Sequence, residues 1–212
     1  MTTIILGISG PSASGKSLLA NTIVKELGSK QVVVISEDAY YKNNTHLPFE
    51  EREKSNYDHP DAFDHALLGE HLTQLRQGKS INIPIYDYNN HLRCKETRHI
   101  GQHAIIVLEG ILLFTNPKLR ELMNVKIFMN TSLDICLIRR LQRDIAKRGR
   151  SLESVLAQYE TTVRPMYWQF IEPSSRHADL IVPRGGENRI AIDMIKAKMR
   201  EMLSQYPSNQ SL

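Results

Sequence analysis

The stretch Gly10-Pro11-Ser12-Ala13-Ser14-Gly15-Lys16-Ser17 decides the fold of this 212-residue chain. It fits the pattern G-x-x-x-x-G-K-[ST], and it follows an apolar run at residues 4–8 that predicts a buried strand. Aliphatic residues at helical spacing over 18–27, with Gly28 after them, predict a helix. A glycine loop between a strand and a helix is typical of a phosphate-binding P-loop, whereas a glycine turn that only caps a helix is the alternative.

The chemistry of such a loop favours anionic oxygens. Its glycines let the backbone N–H groups point inward, and the helix N-terminus adds partial positive charge. We expect the Lys16 ammonium to reach the β- and γ-phosphates and the Ser17 hydroxyl to hold Mg²⁺. The sequence therefore predicts a site for a nucleoside triphosphate, with contacts from Gly10, Pro11, Ser12, Ala13, Ser14, Gly15, Lys16, Ser17 and Leu18.

The composition is that of a globular protein, with 41% hydrophobic and 24% charged residues. The length predicts a single α/β domain over residues 1–203, and the polar residues 204–212 predict a C-terminal tail. The net charge of +4 is spread along the chain and no nucleic-acid-binding motif occurs, so we expect no nucleic acid partner. No apolar stretch approaches the roughly 20 residues of a membrane span, so we expect no membrane partner.

Two cysteines, Cys94 and Cys136, lack metal-type spacing and do not form a C-x-x-C motif. This usage predicts reduced thiols and a cytoplasmic protein. Met1-Thr2-Thr3 leads directly into the first predicted strand, which leaves no room for a signal peptide.

Apolar runs at residues 32–36, 104–108, 125–129 and 180–182 predict four further strands, with helical patterns between them. This alternation predicts an α/β fold: a P-loop NTPase-type, mostly parallel five-stranded sheet with helices on both faces. Alternating residues at about 79–100 around a turn predict a projecting β-hairpin. The arginine-rich stretch at about 139–165 predicts a helical lid.

The block Asp58-His59-Pro60-Asp61 predicts the start of a helix. Asp61 or a neighbour would cap it, Pro60 would take an early position, and the helix would run to about Gln77. The polar residues before this block, from about 42 to 56, predict a loop.

Functional groups are expected where the parallel strands end, because the carboxyl ends of such strands share one edge of the sheet. Asp38 follows the second predicted strand, which we expect to neighbour the first, and Glu109 follows the strand at 104–108. Asp38 can accept the proton of an attacking hydroxyl, and Glu109 occupies the place of an acid that binds Mg²⁺ through water. The alternative for each is a strand-end acid that only caps a turn.

Tyrosines, acids and a histidine concentrate between residues 57 and 91. Tyrosine faces stack on planar rings, and a carboxylate can accept two hydrogen bonds from a cis-diol. A phosphorylated acceptor would instead need an arginine clamp. The cluster thus favours a neutral, hydroxylated, ring-bearing acceptor, with packing around the hairpin as the alternative; its members are Tyr57, Asp58, Asp61, Tyr86, Asp87, Tyr88 and His91.

Five arginines surround Gly149, and helical spacing places two or more of them on one face. Beside a P-loop, arginines can neutralise the charge that develops on a transferred phosphoryl group, whereas a solvated helix face is the alternative. We predict Arg143 and Arg148 as catalytic residues together with Lys16 and Asp38; the full run is Arg139, Arg140, Arg143, Arg148 and Arg150.

Together, these segments resemble the uridine kinase (uridine–cytidine kinase) family of P-loop kinases over nearly the whole chain, from Ile4 to about Ile195. The P-loop is shared with many families. The block Tyr57-Asp58-His59-Pro60-Asp61-Ala62-Phe63-Asp64 and the segment Ile83-Pro84-Ile85-Tyr86-Asp87-Tyr88 are far more specific. Further matches lie at residues 36–41, 91, 108–112, 139–150, 158–159 and 183–188.

The resemblance implies transfer of the γ-phosphoryl group of ATP or GTP, with Mg²⁺, to uridine or cytidine, and a homotetramer. It implies that Asp38 is the general base toward the ribose 5′-hydroxyl and that Asp58 holds the ribose hydroxyls. Tyr86 and His91 would contact the pyrimidine. The remaining implied substrate or lid residues are Tyr41, Tyr57, Tyr88, Arg140, Arg148, Arg150 and Gln158.

The donor base is left open between adenine and guanine. Relatives often carry an aspartate near this base, and the present chain has Glu187 there.

Three other classes of protein stay open. A related small-molecule kinase, of the phosphoribulokinase or pantothenate kinase type, takes an anionic acceptor and should have a more basic pocket than Tyr57-Asp58 with Tyr86-Asp87. A nucleotide-dependent switch such as a GTPase reads guanine through Asn-Lys-x-Asp, which this sequence lacks. A nucleic-acid-binding protein would show strongly salt-dependent oligonucleotide binding.

Overall fold

The computed structural model describes residues 3–204, and within them five strands form one parallel sheet in the order β2-β5-β1-β6-β7. β3 and β4 pair antiparallel as a separate hairpin. This architecture confirms the predicted fold class. The strands are β1 (Ile4–Ser9), β2 (Val32–Ser36), β3 (Ile81–Asp87), β4 (Leu92–Ile100), β5 (Ile105–Glu109), β6 (Val125–Asn130) and β7 (Leu180–Pro183).

Helices cover both faces of the parallel sheet, and β1 is therefore buried along its whole length. Successive side chains of a strand point to opposite faces, so Ile5 joins one apolar cluster and Leu6 joins the other. The labelled helices are α1 (Lys16–Leu27), α2 (Phe49–Glu53), α3 (His65–Arg76), α4 (Pro117–Leu122), α5 (Leu133–Arg148) and α6 (Leu152–Gln158), and a C-terminal helix spans Arg189–Ser204.

The expectation that the second strand neighbours the first is wrong. β5 lies between β1 and β2 and pairs in parallel with both. Glu109 at its end is in register with Ile8 on one side and with Ser36 on the other. The apolar runs of these strands are alike in sequence, so the runs alone contain no information on strand order.

The predicted helix start at Asp61 is also wrong. Pro60–Ala62 forms a single 3₁₀ turn, and α3 begins at His65. The side chain of Asp64 caps α3 by accepting a hydrogen bond from the N–H of Leu67 at 3.0 Å. Between the two elements Phe63 is extended and buried, because its ring stacks on Tyr41 with 4.3 Å between centroids. The predicted loop at 42–56 contains the short helix α2.

The hairpin predicted at about 79–100 corresponds to β3 and β4, and its turn holds Asn89 and Asn90. Arg93 on β4 fixes the hairpin to the sheet end. Its Nε donates to the carbonyl of Tyr41 at 2.8 Å, and its guanidinium lies 3.2 Å from the Asp64 carboxylate.

The predicted lid region begins within α5, which ends at Arg148 and is capped by Gly149 with a φ of 63°. The chain continues into α6 and then through consecutive helical turns as far as His177, beyond the predicted limit of 165. Of the predicted tail, only Ser204 lies among the described residues, and it ends the C-terminal helix. The division into one domain stays a prediction. No helix found between residues 3 and 204 is long and apolar enough to cross a membrane.

Candidate active site

The P-loop joins β1 to α1 in a conformation that needs glycine. Gly10 and Gly15 have φ values of 142° and 97°, which L-residues with a side chain rarely adopt. A Cβ atom at Gly15 would also lie 2.5 Å from the backbone nitrogen of Gly186. The glycine pattern recognised in the sequence therefore has two physical causes, the left-handed backbone and the close approach of the 183–188 loop.

Lys16 and Ser17 begin α1 and turn toward the end of β5. The Lys16 ammonium is buried and donates to the carbonyl of Pro11 at 2.8 Å. Burial lowers the pKa of Lys16, and the negative charges of Glu109 and Asp38 oppose that shift. The Ser17 hydroxyl donates to Glu109 at 3.1 Å. A hydroxyl and a carboxylate this close suit Mg²⁺, which takes few protein oxygens and completes its shell with phosphates and water.

Two cavities open at the carboxyl end of the sheet and share part of their walls. The phosphate-side cavity, of about 290 Å³, lies over the P-loop and reaches Glu109 and Arg139. The acceptor-side cavity, of about 360 Å³, lies between the hairpin and the lid. Residues that line both cavities are Ser12, Asp38, Ile111 and Arg143.

Asp38 is half-buried at the junction of the two cavities. Its pKa is raised to about 6, mainly by burial and also by the negative charges of Glu109 and Glu37. The positive charge of Lys16 opposes this rise. The hydroxyl of Tyr88 donates a hydrogen bond to its Oδ2 at 3.3 Å, which also favours the ionised form. A carboxylate with this pKa is ionised at neutral pH and is a stronger base than an ordinary aspartate.

Aromatic rings form one side of the acceptor-side cavity. Tyr57 stacks on His91 with 5.0 Å between ring centroids and an angle of 16°. Burial lowers the pKa of His91, so its imidazole is neutral at pH 7. The hydroxyl of Tyr86 is buried and makes no hydrogen bond of ordinary geometry within residues 3–204, although Tyr57 lies close enough to raise its pKa. It can therefore bond to a polar group of a bound acceptor. Asp58 is buried nearby. Burial raises its pKa, and the positive charge of Arg140 partly offsets that rise.

Arginines from the lid form the opposite side. The buried Arg140 donates to Ser12 Oγ at 3.1 Å and to Gln158 Oε1 at 2.9 Å, so it ties the P-loop to α6. Arg150 donates to the same Gln158 oxygen. The guanidinium of Arg148 lies 5.1 Å from the centroid of the Tyr88 ring, in cation–π contact.

The structure brings together all nine residues predicted for substrate binding, and their roles stay predictions. They line the acceptor-side cavity together with Asp38, Arg143 and Arg148. The nine are Tyr41, Tyr57, Asp58, Tyr86, Tyr88, His91, Arg140, Arg150 and Gln158. Of the predicted nucleotide contacts, Ser12, Ala13, Gly15, Lys16, Ser17 and Leu18 line the phosphate-side cavity.

Some predicted residues lie elsewhere. Glu187 is exposed and lines neither cavity. Gly10, Pro11 and Ser14 of the P-loop line neither cavity either. Asp61 also lies outside both. The carboxylate of Asp87 accepts hydrogen bonds from the N–H groups of the hairpin turn and therefore stabilises that turn.

Sequence reasoning missed two buried acids, Glu37 and Asp144, both with no exposed surface. Glu37 Oε1 lies 2.8 Å from His65 Nε2, and its other oxygen accepts from the N–H of Leu112 at 2.9 Å. No sequence signal distinguishes Glu37 from its neighbour Asp38. Asp144 is four residues from Arg140 and from Arg148, and that spacing could have revealed it.

The sequence matches the phosphoribulokinase/uridine kinase family over residues 5–191. A uridine kinase of Shewanella frigidimarina is 57% identical over 206 residues, which cover 95% of this chain and 97% of that protein. A uridine kinase of Aeromonas hydrophila is 59% identical over 204 residues, which cover 94% of this chain and 95% of that protein.

The fold is also that of a solved phosphoribulokinase from Rhodobacter spheroides, with a TM-score of 0.66 and 17% identity. The similarity covers 86% of this chain and 70% of the phosphoribulokinase. Two cavities that meet at a P-loop and a carboxylate agree with these similarities. The protein is a phosphotransferase enzyme, and the chain belongs to the phosphoribulokinase/uridine kinase family.

Proposed function

We propose that this enzyme transfers the γ-phosphoryl group of ATP or GTP to the 5′-hydroxyl of uridine or cytidine and forms UMP or CMP for pyrimidine salvage. The observation that carries the proposal is the position of Asp38 and Arg143, which line both cavities. A donor on the P-loop and an acceptor between hairpin and lid would meet at these two residues. The relatives named uridine kinase support the choice of acceptor.

The chain supplies positioning and charge for this transfer. Asp38 orients the acceptor hydroxyl and takes its proton. Lys16 and Arg143 neutralise the charge that develops on the transferred group, and Arg148 assists from the lid. A Mg²⁺ ion held by Ser17 and Glu109 would offset the negative charge of the phosphates.

The acceptor-side cavity suits a nucleoside. The buried carboxylate of Asp58 can accept hydrogen bonds from the ribose hydroxyls. The buried Tyr86 hydroxyl and the neutral His91 imidazole can bond to the polar edge of a pyrimidine, and the Tyr57 ring can pack against it. Because uracil and cytosine are neutral, no net charge needs to be bound at this end.

A phosphorylated acceptor is the second candidate, because four arginines line the acceptor-side cavity. Their positive charge is partly offset within the protein. Asp144 pairs with Arg140, Arg143 and Arg148, and Asp58 lies in the same cavity.

Steady-state kinetics with product detection tests the proposal. ATP and GTP are each crossed with uridine, cytidine, thymidine and ribulose 5-phosphate, and ADP or GDP is measured. We expect turnover with uridine and cytidine and little with thymidine. Turnover only with the sugar phosphate would overturn the proposal, and the ATP-to-GTP ratio would establish the donor.

The resemblance to uridine kinases also supports a cytoplasmic homotetramer. Size-exclusion chromatography with light scattering measures the molar mass in solution. A mass of four chains is expected, and a monomer would contradict it.

A further inference from the structure

Asp144 is a carboxylate enclosed by arginines in the middle of the lid. It has no exposed surface, and it lines neither cavity. Arg143 Nε donates to Asp144 Oδ1 at 2.8 Å. The Arg148 guanidinium lies 3.4 Å from the same oxygen, and Arg140 Nε lies 3.6 Å from Oδ2. One buried negative charge therefore faces three positive charges.

The environment of Asp144 keeps this carboxyl ionised. Burial alone would raise the pKa of Asp144. The hydrogen bond and charge of Arg143, together with the charges of Arg140 and Arg148, outweigh burial, so the pKa is lower than that of an ordinary aspartate. Asp144 Oδ2 and Arg140 Nε are both buried without a hydrogen-bond partner among residues 3–204. Their attraction at 3.6 Å is thus electrostatic, and a polar but neutral side chain would not replace it.

The three arginines reach three different parts of the site. Arg140 donates to Ser12 on the P-loop, and Arg143 lies at the junction of the cavities. Arg148 packs on Tyr88, whose hydroxyl is bonded to Asp38. Like charges on one stretch of helix repel each other and favour outward, solvated positions. A fixed counter-charge among them favours the inward arrangement.

We propose that Asp144 is a positioning residue that holds Arg143, and with it Arg140 and Arg148, in the arrangement needed for phosphoryl transfer before either substrate binds. The proposal rests on the proposed nucleoside kinase function. Asp144 lines neither cavity and therefore does not touch a substrate. Its effect on the reaction passes through the arginines, because preorganised charges stabilise a transition state without moving into place during the reaction.

Asp144→Asn tests the charge, because asparagine has nearly the same size. Asp134→Asn is the matched control, since Asp134 is on the same helix but exposed and outside both cavities. For Asp144→Asn we expect kcat to fall at least about 10-fold while KM for uridine changes less than about 3-fold, as for an interaction made mainly in the transition state. The control is expected to keep both constants within about 2-fold of the parent, as for a surface change away from the site.

A double-mutant cycle separates positioning from a general structural role. Arg143→Ala is made alone and combined with Asp144→Asn. If Asp144 acts through Arg143, its substitution should lower kcat by less than about 3-fold once Arg143 is absent, because the coupling is then lost. An equal fold-loss in both backgrounds would overturn the proposal, and so would unchanged kinetics of Asp144→Asn alone.

Folding of each variant is checked by circular dichroism and thermal unfolding. If Asp144→Asn does not fold, Asp144→Ser, which is smaller and also neutral, replaces it in the same cycle. Failure of both variants to fold would assign Asp144 a structural role and overturn the proposal. The parent enzyme and Asp134→Asn report on the proposed function itself, because both should phosphorylate uridine whatever Asp144 does.

Discussion

Lys16 is a buried ammonium that donates to the Pro11 carbonyl and lies near two acids, Glu109 and Asp38, at the place where phosphates would bind. Lys16→Ala should lower kcat at least about 100-fold, because it removes a charge aimed at the transferred group. Thermal unfolding should show that the fold survives. Lys25→Ala, at an exposed position of the same helix, is the control and should keep parental activity. Full activity of the Lys16 variant would remove the P-loop from the mechanism.

The pKa of Asp38, about 6, predicts the acid side of the pH profile. As the proposed base, Asp38 works only when ionised, so kcat/KM should fall about tenfold per pH unit below pH 6. Tyr88→Phe removes a hydrogen bond that favours the charged form, and the acid limb should therefore move to higher pH. A limb that stays in place in this variant would show that the tyrosine does not affect the base.

Tyr40→Phe is the control for this pH experiment. Its hydroxyl bonds to His71 at 2.9 Å, and neither residue lines the two cavities. The acid limb of this variant should match that of the parent.

Asp58 is a buried carboxylate that lines the acceptor-side cavity, and its proposed role is to hold the ribose hydroxyls. Asp58→Ala should raise KM for uridine and narrow its advantage over 2′-deoxyuridine, because the diol loses its acceptor. Steady-state kinetics with both nucleosides measures the ratio. A variant that prefers ribose as strongly as the parent would contradict the assignment.

At the scale of elements, the end of β5 depends on a glycine. A Cβ atom at Gly110 would lie 2.1 Å from Glu37 Oε2, and Glu37 is fully buried between β2 and β5. Gly110→Ala should therefore lower the free energy of unfolding by about 2 kcal/mol or more, since overpacking forces buried groups to shift. Denaturant unfolding measures the change.

Gly101→Ala is the matched control for Gly110→Ala. No atom lies within 4 Å of a Cβ at Gly101, so its substitution should leave the free energy of unfolding within about 0.5 kcal/mol. Equal stability of the two variants would show that the Glu37 pocket relaxes freely.

Local elements could be predicted from the sequence because periodicity and stop signals are local. The parallel strands, α1 and the hairpin lie close to their expected places. The start of α3 could not be predicted, because burial of Phe63 against Tyr41 interrupts a plausible helix pattern. Strand order and the acids Glu37 and Asp144 also escaped prediction, since their significance lies in contacts between distant segments.

The site was predicted best where a motif carried it. The P-loop followed from its pattern. Five of the seven residues in the predicted cluster of tyrosines, acids and a histidine line the acceptor-side cavity, and the family resemblance added Tyr41 and Gln158. Composition and position alone were weaker guides. Asp87 was predicted as part of the cluster between residues 57 and 91, but it stabilises the hairpin turn. Glu187 was predicted to lie near the donor base, but it lies outside both cavities.

Across the whole molecule, the acceptor-side cavity is built mainly from three separate segments, residues 38–58, the hairpin and the lid, and Ser12 and Ile111 complete its lining. A nucleoside that contacts all three should stabilise them together, and at 100 times its Kd it should add about 2.7 kcal/mol to the stability of the fold. Uridine should raise the unfolding temperature accordingly.

Hydrogen exchange resolves this stabilisation by segment. Amides of the hairpin and of α6 should exchange more slowly with uridine bound, whereas those of the C-terminal helix should follow only the global change. If uridine slowed exchange only in the hairpin or only in α6, the two segments would not share an acceptor site.

β5, inserted between β1 and β2, acts as a spacer. Strands repeat about every 4.8 Å, so the ends of β1 and β2 stand roughly 10 Å apart rather than one strand width. In the proposed reaction, that separation would leave room for a phosphoryl group between a donor on the P-loop, which follows β1, and an acceptor hydroxyl beside Asp38, which follows β2.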